Sequence, residues 1–248
     1  MEKVFPRMYS KPEKKYLVGL IPCWLWVFVA LPMIMPFLGL GIWQDPVFIS
    51  WLEVGYHVTN GIIVFFVMRE YLQEEWFMVS TDARHYLKHI ALTVVLMLGA
   101  EFLLLHVLPH AGLYVYYMLE GLPVIEMHVS HTPLSTVLTQ PIFGTIAVSV
   151  FVPVSISILF YSLGFAPLCG KKPWLAYLCI ALVTLIPPVV NILWRGDTLF
   201  VLTAYIINLP VHLLACWSYQ KTDNVWTPII SLGITNLITS ILLILLIQ

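Results

Sequence analysis

The sequence predicts an all-α fold, a polytopic bundle of about seven transmembrane helices with kinks and a cytoplasmic N-terminus. Three observations carry that prediction. Of 248 residues, 60% are hydrophobic and 10% are charged, whereas a soluble globular chain is roughly 25% charged. The mean hydropathy of +0.91 fits a chain whose solvent is lipid. Seven stretches reach the roughly 20 apolar residues a helix needs to cross the hydrocarbon core, and an open sheet is excluded because lipid leaves its edges unsatisfied. This composition also excludes disordered, collagenous and nucleic-acid-binding classes. The net charge of −1 points to no partner.

The spans run in order over 16–43, 47–68, 89–108, 142–165, 174–194, 198–218 and 226–247. The first follows a basic tail, residues 1–15. It resembles a secretory leader in that respect, but its apolar part is too long and it lacks a small-residue cleavage site, so it is expected to stay as an anchor. With the N-terminus inside, Lys3, Arg7, Lys11, Lys14, Lys15, Arg69, Arg84, Lys88, Lys171, Lys172 and Lys221 fall on the cytoplasmic side, and only Arg195 falls outside. That distribution follows the positive-inside rule, and a missed central helix would scramble it. The C-terminus is therefore expected outside.

Trp43, Trp51, Trp76, Trp174, Trp194, Trp217 and Trp226 lie near span ends, where an indole meets both headgroups and acyl chains. Pro46, Pro141 and Pro173 fall at boundaries that tolerate proline. Pro22, Pro32, Pro36, Pro153, Pro187, Pro188, Pro210 and Pro228 lie inside spans and predict kinks or broken turns. Residues 69–88 mix aromatic and charged side chains and read as a short amphipathic helix at the cytoplasmic interface. Residues 109–141 form the longest external loop, and with residues 16–108 they make an N-terminal part ahead of a core over 142–248. Cys23, Cys169, Cys179 and Cys216 show no CxxC spacing and read as buried small apolar residues, not as a disulfide framework or a zinc site.

Ionisable groups within spans need a partner or a function. Glu53, His57 and Asn60 share one helical face at i, i+4 and i+7; Asn208 and His212 repeat the i, i+4 relation. Glu101, Asn191 and Asn236 add to this inward-facing set. A carboxylate could serve as general base beside a neutral imidazole that assists it or ligates a metal. Interhelical hydrogen bonding accounts for the same residues, and better for the asparagines. Glu53 with His57 leaves both readings open. Outside the membrane, His106, His110, His128 and His131 accompany Glu120 and Glu126 as candidate metal ligands. Pro109 disfavours helix at Leu108, and there is no HExxH pattern, so solvated loop histidines are the plainer reading. Glu74 and Glu75 resemble a carboxylate pair but read as solvated surface.

The segment LLACWSYQKTDNVWTPIISLGITNLITSILL (213–243) runs from Tyr-x-Lys-Thr through a polar turn into Trp-x-Pro-Ile-Ile, with Asn236 ten residues after Trp226. It resembles the closing segment of the CAAX protease and bacteriocin-processing family, also called CPBP or Abi. The stretch VFVPVSISILFYSLGF (150–165) is similar to that family's Pro-Ile-x-Glu-Glu-x-x-Phe-Arg-Gly region, with Pro153, Val154 and Phe160 matching. Ile156 and Ser157 stand in place of the glutamates, Tyr161 of the arginine and Ser162 of the glycine. The Phe-x-x-x-His element falls at Pro187 to Asn191, and His-x-x-x-Asn at Leu232 to Asn236. The resemblance covers about 142–248 and retains only Asn236 of the catalytic set. In active members it implies a glutamate-activated water, assisting histidines and an Asn that stabilises the oxyanion, a scheme that fails without its general base.

Three functions follow as expectations. The first is a catalytically silent relative acting as a membrane-embedded binding, scaffold or immunity-type protein without a cofactor. Its partners would be the lipid bilayer and another membrane protein or a hydrophobic or lipidated peptide, with no nucleic acid. The second is an intramembrane peptidase with a relocated site drawn from Glu53, His57, Glu101 and His212, with or without a divalent metal. The third is a small transporter, for which no inverted repeat is visible.

Overall fold

The computed structural model describes residues 46–108, 137, 139–170, 172–195 and 198–247, and all regular structure among them is helical. The helices, numbered among the described residues, are α1 (Pro46–Val67), α2 (Arg69–Thr81), α3 (Ala83–Leu108), α4 (Pro141–Cys169), α5 (Pro173–Arg195), α6 (Thr198–Thr222) and α7 (Trp226–Ile247). Thus α1 and α3 to α7 coincide with the second to seventh expected spans. The first span and the loop 109–136 lie outside the described residues. Three helical stretches, Ala83–Leu104, Pro141–Cys169 and Trp226–Leu245, are long and apolar enough to cross a membrane, or four if α1 and α2 count as one bent unit.

Proline sets the starts. Pro46, Pro141 and Pro173 are each the first residue of a helix, where the missing N–H would have had no acceptor. α5 and α6 run through Pro187, Pro188 and Pro210 as single elements. In α4 the disturbance becomes a change of register: two π-helical stretches, Ala147–Phe151 and Ser157–Phe165, flank a short α-helical turn that holds Pro153.

The sharpest bend needs no proline. α1 and α2 meet at 80° through Met68, which is fully buried. Its N–H bonds the Val64 carbonyl at 3.0 Å and its carbonyl accepts from Leu72 at 2.9 Å. α2 is the expected amphipathic helix. Tyr71, Leu72, Glu75 and Val79 form its buried face, while Trp76 and Phe77 are exposed, Phe77 by 72%.

α4 occupies the middle of the bundle and packs against α1, α5, α6 and α7. The core gathers around it: Ile158, Leu159, Phe160, Tyr161 and Phe165 meet Val64 and Met68 of α1, Met97 of α3, Ala215, Cys216 and Tyr219 of α6, and Leu232 of α7. Phe165 stacks edge-on to Tyr177 (5.0 Å) and Tyr219 (6.4 Å). Tyr177 and Tyr205 tie α5 to α6 by donating to Gln220 Oε1 (2.8 Å) and to the Ala181 carbonyl (2.6 Å). Large apolar side chains such as Phe66, Val95, Phe102 and Ile142 remain exposed, an outer surface suited to lipid and not to water.

Close approach to α4 requires two glycines. A Cβ on Gly61 would lie 2.7 Å from the Phe151 Cβ, and one on Gly233 would lie 2.7 Å from the Ser149 carbonyl oxygen. Gly55 has nothing within 4 Å of such a Cβ. Gly233→Ala is therefore expected to lower the apparent melting temperature of the detergent-solubilised protein by several degrees, from an overpacking cost of about 1–3 kcal/mol. Gly55→Ala should leave it unchanged, and equal melting of the two variants by tryptophan fluorescence would remove the close-approach argument.

Candidate functional site

The π register of α4 explains one polar residue completely. Val152 N–H bonds the Ala147 carbonyl, five residues back. The next donor in that register, at position 153, would serve Val148, but proline has no N–H. Asn236 of α7 fills the gap, with Nδ2 donating to the Val148 carbonyl at 2.9 Å. Gly233 lies one turn before Asn236 and admits the α4 backbone. The asparagine that the family resemblance makes an oxyanion donor is thus occupied with a main-chain oxygen.

The other expected groups pair with separate neighbours. His212 of α6 is hydrogen-bonded through Nδ1 to the Tyr161 hydroxyl of α4 at 2.9 Å, and Phe160 lies edge-on to its ring at 6.3 Å. Tyr161 stands where the resemblance expects arginine, and it is fully buried. Ser157, aligned with the second glutamate, is also fully buried, and its hydroxyl makes no hydrogen bond. Ile156 is partly buried against the core. Glu101 of α3 accepts from Thr239 of α7 at 2.9 Å. Glu53 and His57 are half-buried on α1 beside the buried Asn60, and the Tyr56 ring lies 5.0 Å from that of His57. Asn208 is exposed among the described residues, unlike the inward position expected for it.

No group of three or more His, Cys, Asp or Glu side chains among the described residues is placed to hold a metal ion. His110, His128, His131, Glu120 and Glu126 lie outside the described residues, as does the His106 side chain. The same holds for Asn191. Cys169 and Cys216 are buried and Cys179 is half-buried, all as free thiols; Cys23 lies outside the described part.

Where α2 meets the turn between α6 and α7 lies a polar cluster that the sequence did not announce. Glu75, expected on a solvated surface beside Glu74, is 2% exposed, because the 80° turn at Met68 rotates its face of α2 onto the bundle. Glu74 is exposed as expected. Tyr71, Glu75 and Asp223 all lie within electrostatic reach of the buried Tyr219 hydroxyl, and Tyr71 is hydrogen-bonded to Ser162 of α4 at 3.2 Å. Asp223 ends α6 in the left-handed conformation (φ 48°), which Asp tolerates better than most residues. This directs Asn224 at α2: its Nδ2 donates to the Glu75 carbonyl (2.8 Å), and its Oδ1 accepts from Trp226 N–H (2.9 Å). Trp226 Nε1 donates to the Leu72 carbonyl at 2.8 Å. The i, i+4, i+8 spacing of Tyr71, Glu75 and Val79 was the available signal.

Chemically, the interior offers hydroxyls, amides, the His212 imidazole and the Glu75 and Glu101 carboxyls, some paired across helices and others, such as Ser157, without a hydrogen-bond partner among the described residues. Compared with known protein families, with curated proteins and with solved structures, the chain finds no match.

If Asn236 substitutes for the missing Pro153 donor, the two positions must be coupled. Asn236→Ala is expected to cost about 1 kcal/mol of stability. In a Pro153→Ala background, which restores an N–H, the cost should fall to less than half. A double-mutant cycle followed by denaturant unfolding reads this coupling, and strict additivity would contradict the substitution.

Proposed function

We propose that this chain is a multi-pass integral membrane protein, a silent relative of the CAAX protease and bacteriocin-processing family, that acts by binding and not by hydrolysis. In this reading seven spans place the N-terminus in the cytoplasm and the C-terminus outside, supported by the distribution of eleven of twelve Lys and Arg residues. The observation that carries the functional part is the chemistry of α4. Where the resemblance calls for an acid pair and an arginine, Ile156, Ser157 and Tyr161 stand, and Tyr161 is paired with His212. Among the described residues neither member of that pair is bonded to a carboxylate. A water-activating base needs to be within hydrogen-bond reach of its proton, and here the imidazole Nδ1 is already engaged by the Tyr161 phenol, without the carboxylate that the resembled scheme uses.

The reading makes the chain a binding, scaffold or immunity-type protein whose ligand is another membrane protein or a hydrophobic or lipidated peptide. Purified protein in proteoliposomes should show no cleavage of prenylated or transmembrane peptides, with or without added Zn²⁺. Turnover that disappears in Glu53→Gln or Glu101→Gln would replace this reading with a relocated peptidase site. Purification in mild detergent should retain a stable partner.

The topology is tested separately. A C-terminal alkaline phosphatase fusion should be active and a fluorescent-protein fusion dark; the reverse pattern would place the C-terminus inside and break the seven-span count.

A further inference from the structure

Outside the interior pairs, the cytoplasmic ends of α3 and α6 bring together four basic groups. His85, Lys88 and His89 follow one face of α3 at i, i+3 and i+4. Lys221 lies across from them on α6, one turn after Trp217. His85, Lys88 and Lys221 are the charged groups that act electrostatically on the His89 ring. The His85 and His89 rings lie 4.7 Å apart, and Trp217 lies 6.5 Å from His89 on the other side. His85, Lys88 and Lys221 are exposed, while Nδ1 of His89 is buried and has no hydrogen-bond partner.

Among the described residues, the nearest acids are engaged elsewhere. Asp82 accepts from the His85 backbone N–H at 3.4 Å, and the buried Asp223 oxygens lie on the Tyr219 side of α6. Lys88 and Lys221 are two cations held beside two imidazoles, and like charges so placed repel one another unless an anion joins them. Along the same face of α3, Leu92, Val95 and Leu96 continue toward the membrane centre and are all exposed, Val95 by 66%. The step from Lys88 to Leu96 is about 12 Å along a helix. A cationic head above an apolar strip matches an amphiphile with a phosphate head and an acyl chain, and matches a free phosphate less well.

We propose that the cleft formed by His85, Lys88, His89 and Lys221, with Trp217 as its wall, binds the phosphate of an anionic lipid headgroup whose chain lies on Leu92 and Val95. Basic pockets between helices at the cytoplasmic face suit such lipids, each cation contributing about 1 kcal/mol near the surface. The proposal rests on the membrane reading above, and the two fail separately. A protein that stays in solution without detergent ends the membrane reading; a detergent-requiring protein without lipid preference ends only this one.

The test uses delipidated, detergent-purified protein and native mass spectrometry with phosphatidylglycerol and phosphatidylcholine. Wild type should retain phosphatidylglycerol preferentially. Lys88→Gln with Lys221→Gln should weaken that binding about thirtyfold and leave phosphatidylcholine binding unchanged, which also reports that the variant is folded. Lys88→Arg with Lys221→Arg should restore it. The control pair Arg69→Gln with Lys172→Gln, carrying the same charge change elsewhere on the inner face, should have no effect. Equal losses in the two glutamine pairs, undiminished phosphatidylglycerol binding by the first, or inorganic phosphate displacing the lipid at comparable concentration would each overturn the proposal.

Discussion

The bundle depends on how α4 handles the peptide groups around Pro153. In a hydrocarbon surrounding, an unsatisfied carbonyl has no water to turn to, and each one costs several kcal/mol. A proline in the middle of a central helix creates such a carbonyl at once. Here the register widens to π on either side, which moves the orphaned acceptor to Val148, and the Asn236 amide supplies the missing donor. That solution works only if α7 comes close, and closeness requires Gly233 opposite Ser149. One missing N–H therefore accounts for both a glycine and an amide on α7, while Gly61 separately lets α1 approach Phe151.

A second set of main-chain contacts positions the inner end. α2 is held across the bundle by Asn224 and Trp226 donating to the Glu75 and Leu72 carbonyls. These carbonyls already belong to helix ladders, and each uses its second lone pair for the turn between α6 and α7. Because the donors read backbone, they fix the path of α2 whatever side chains it carries. The left-handed residue Asp223 makes this possible, since it reverses the chain in time for Asn224 to face α2. Burial of Glu75 accompanies that clamping.

Much of the helix plan could be read from the chain, because a length requirement of about 20 apolar residues is local. Pro46, Pro141 and Pro173 marked starts that the structure places at the same residues. The amphipathic face of α2 was legible for the same reason. What could not be read were consequences of tertiary placement. Nothing in a run of apolar residues announces that Ala147–Phe151 will take π register, or that an asparagine 83 residues after Pro153, counting 236 minus 153, will repair it. Glu75 looked solvated because an adjacent Glu74 and a charged loop surround it in sequence, and the direction α2 takes after Met68 decides which of their two helical faces is turned inward. Asn208 erred in the other direction, since its i, i+4 relation to His212 suggested a shared inward face that the bundle does not use.

The polar interior is matched to small desolvation costs. An amide or hydroxyl loses a few kcal/mol on burial and regains most of it from one good partner, whereas an ionised carboxylate loses far more. Along α4 the interior side-chain polar groups are hydroxyls, of which Ser162 and Tyr161 pair with Tyr71 of α2 and His212 of α6, while Asn236 of α7 takes up the Val148 carbonyl. Carboxylates occur instead toward the edges of this arrangement: Glu101 against Thr239, and Glu75 and Asp223 at the inner end. Replacing Ser157 with glutamate would insert a charge into a fully buried position with no basic group beside its neighbour Tyr161 except a histidine already hydrogen-bonded. A cation at 161 would likewise be buried without a counter-charge among the described residues, and a tyrosine hydrogen-bonded to His212 avoids that cost.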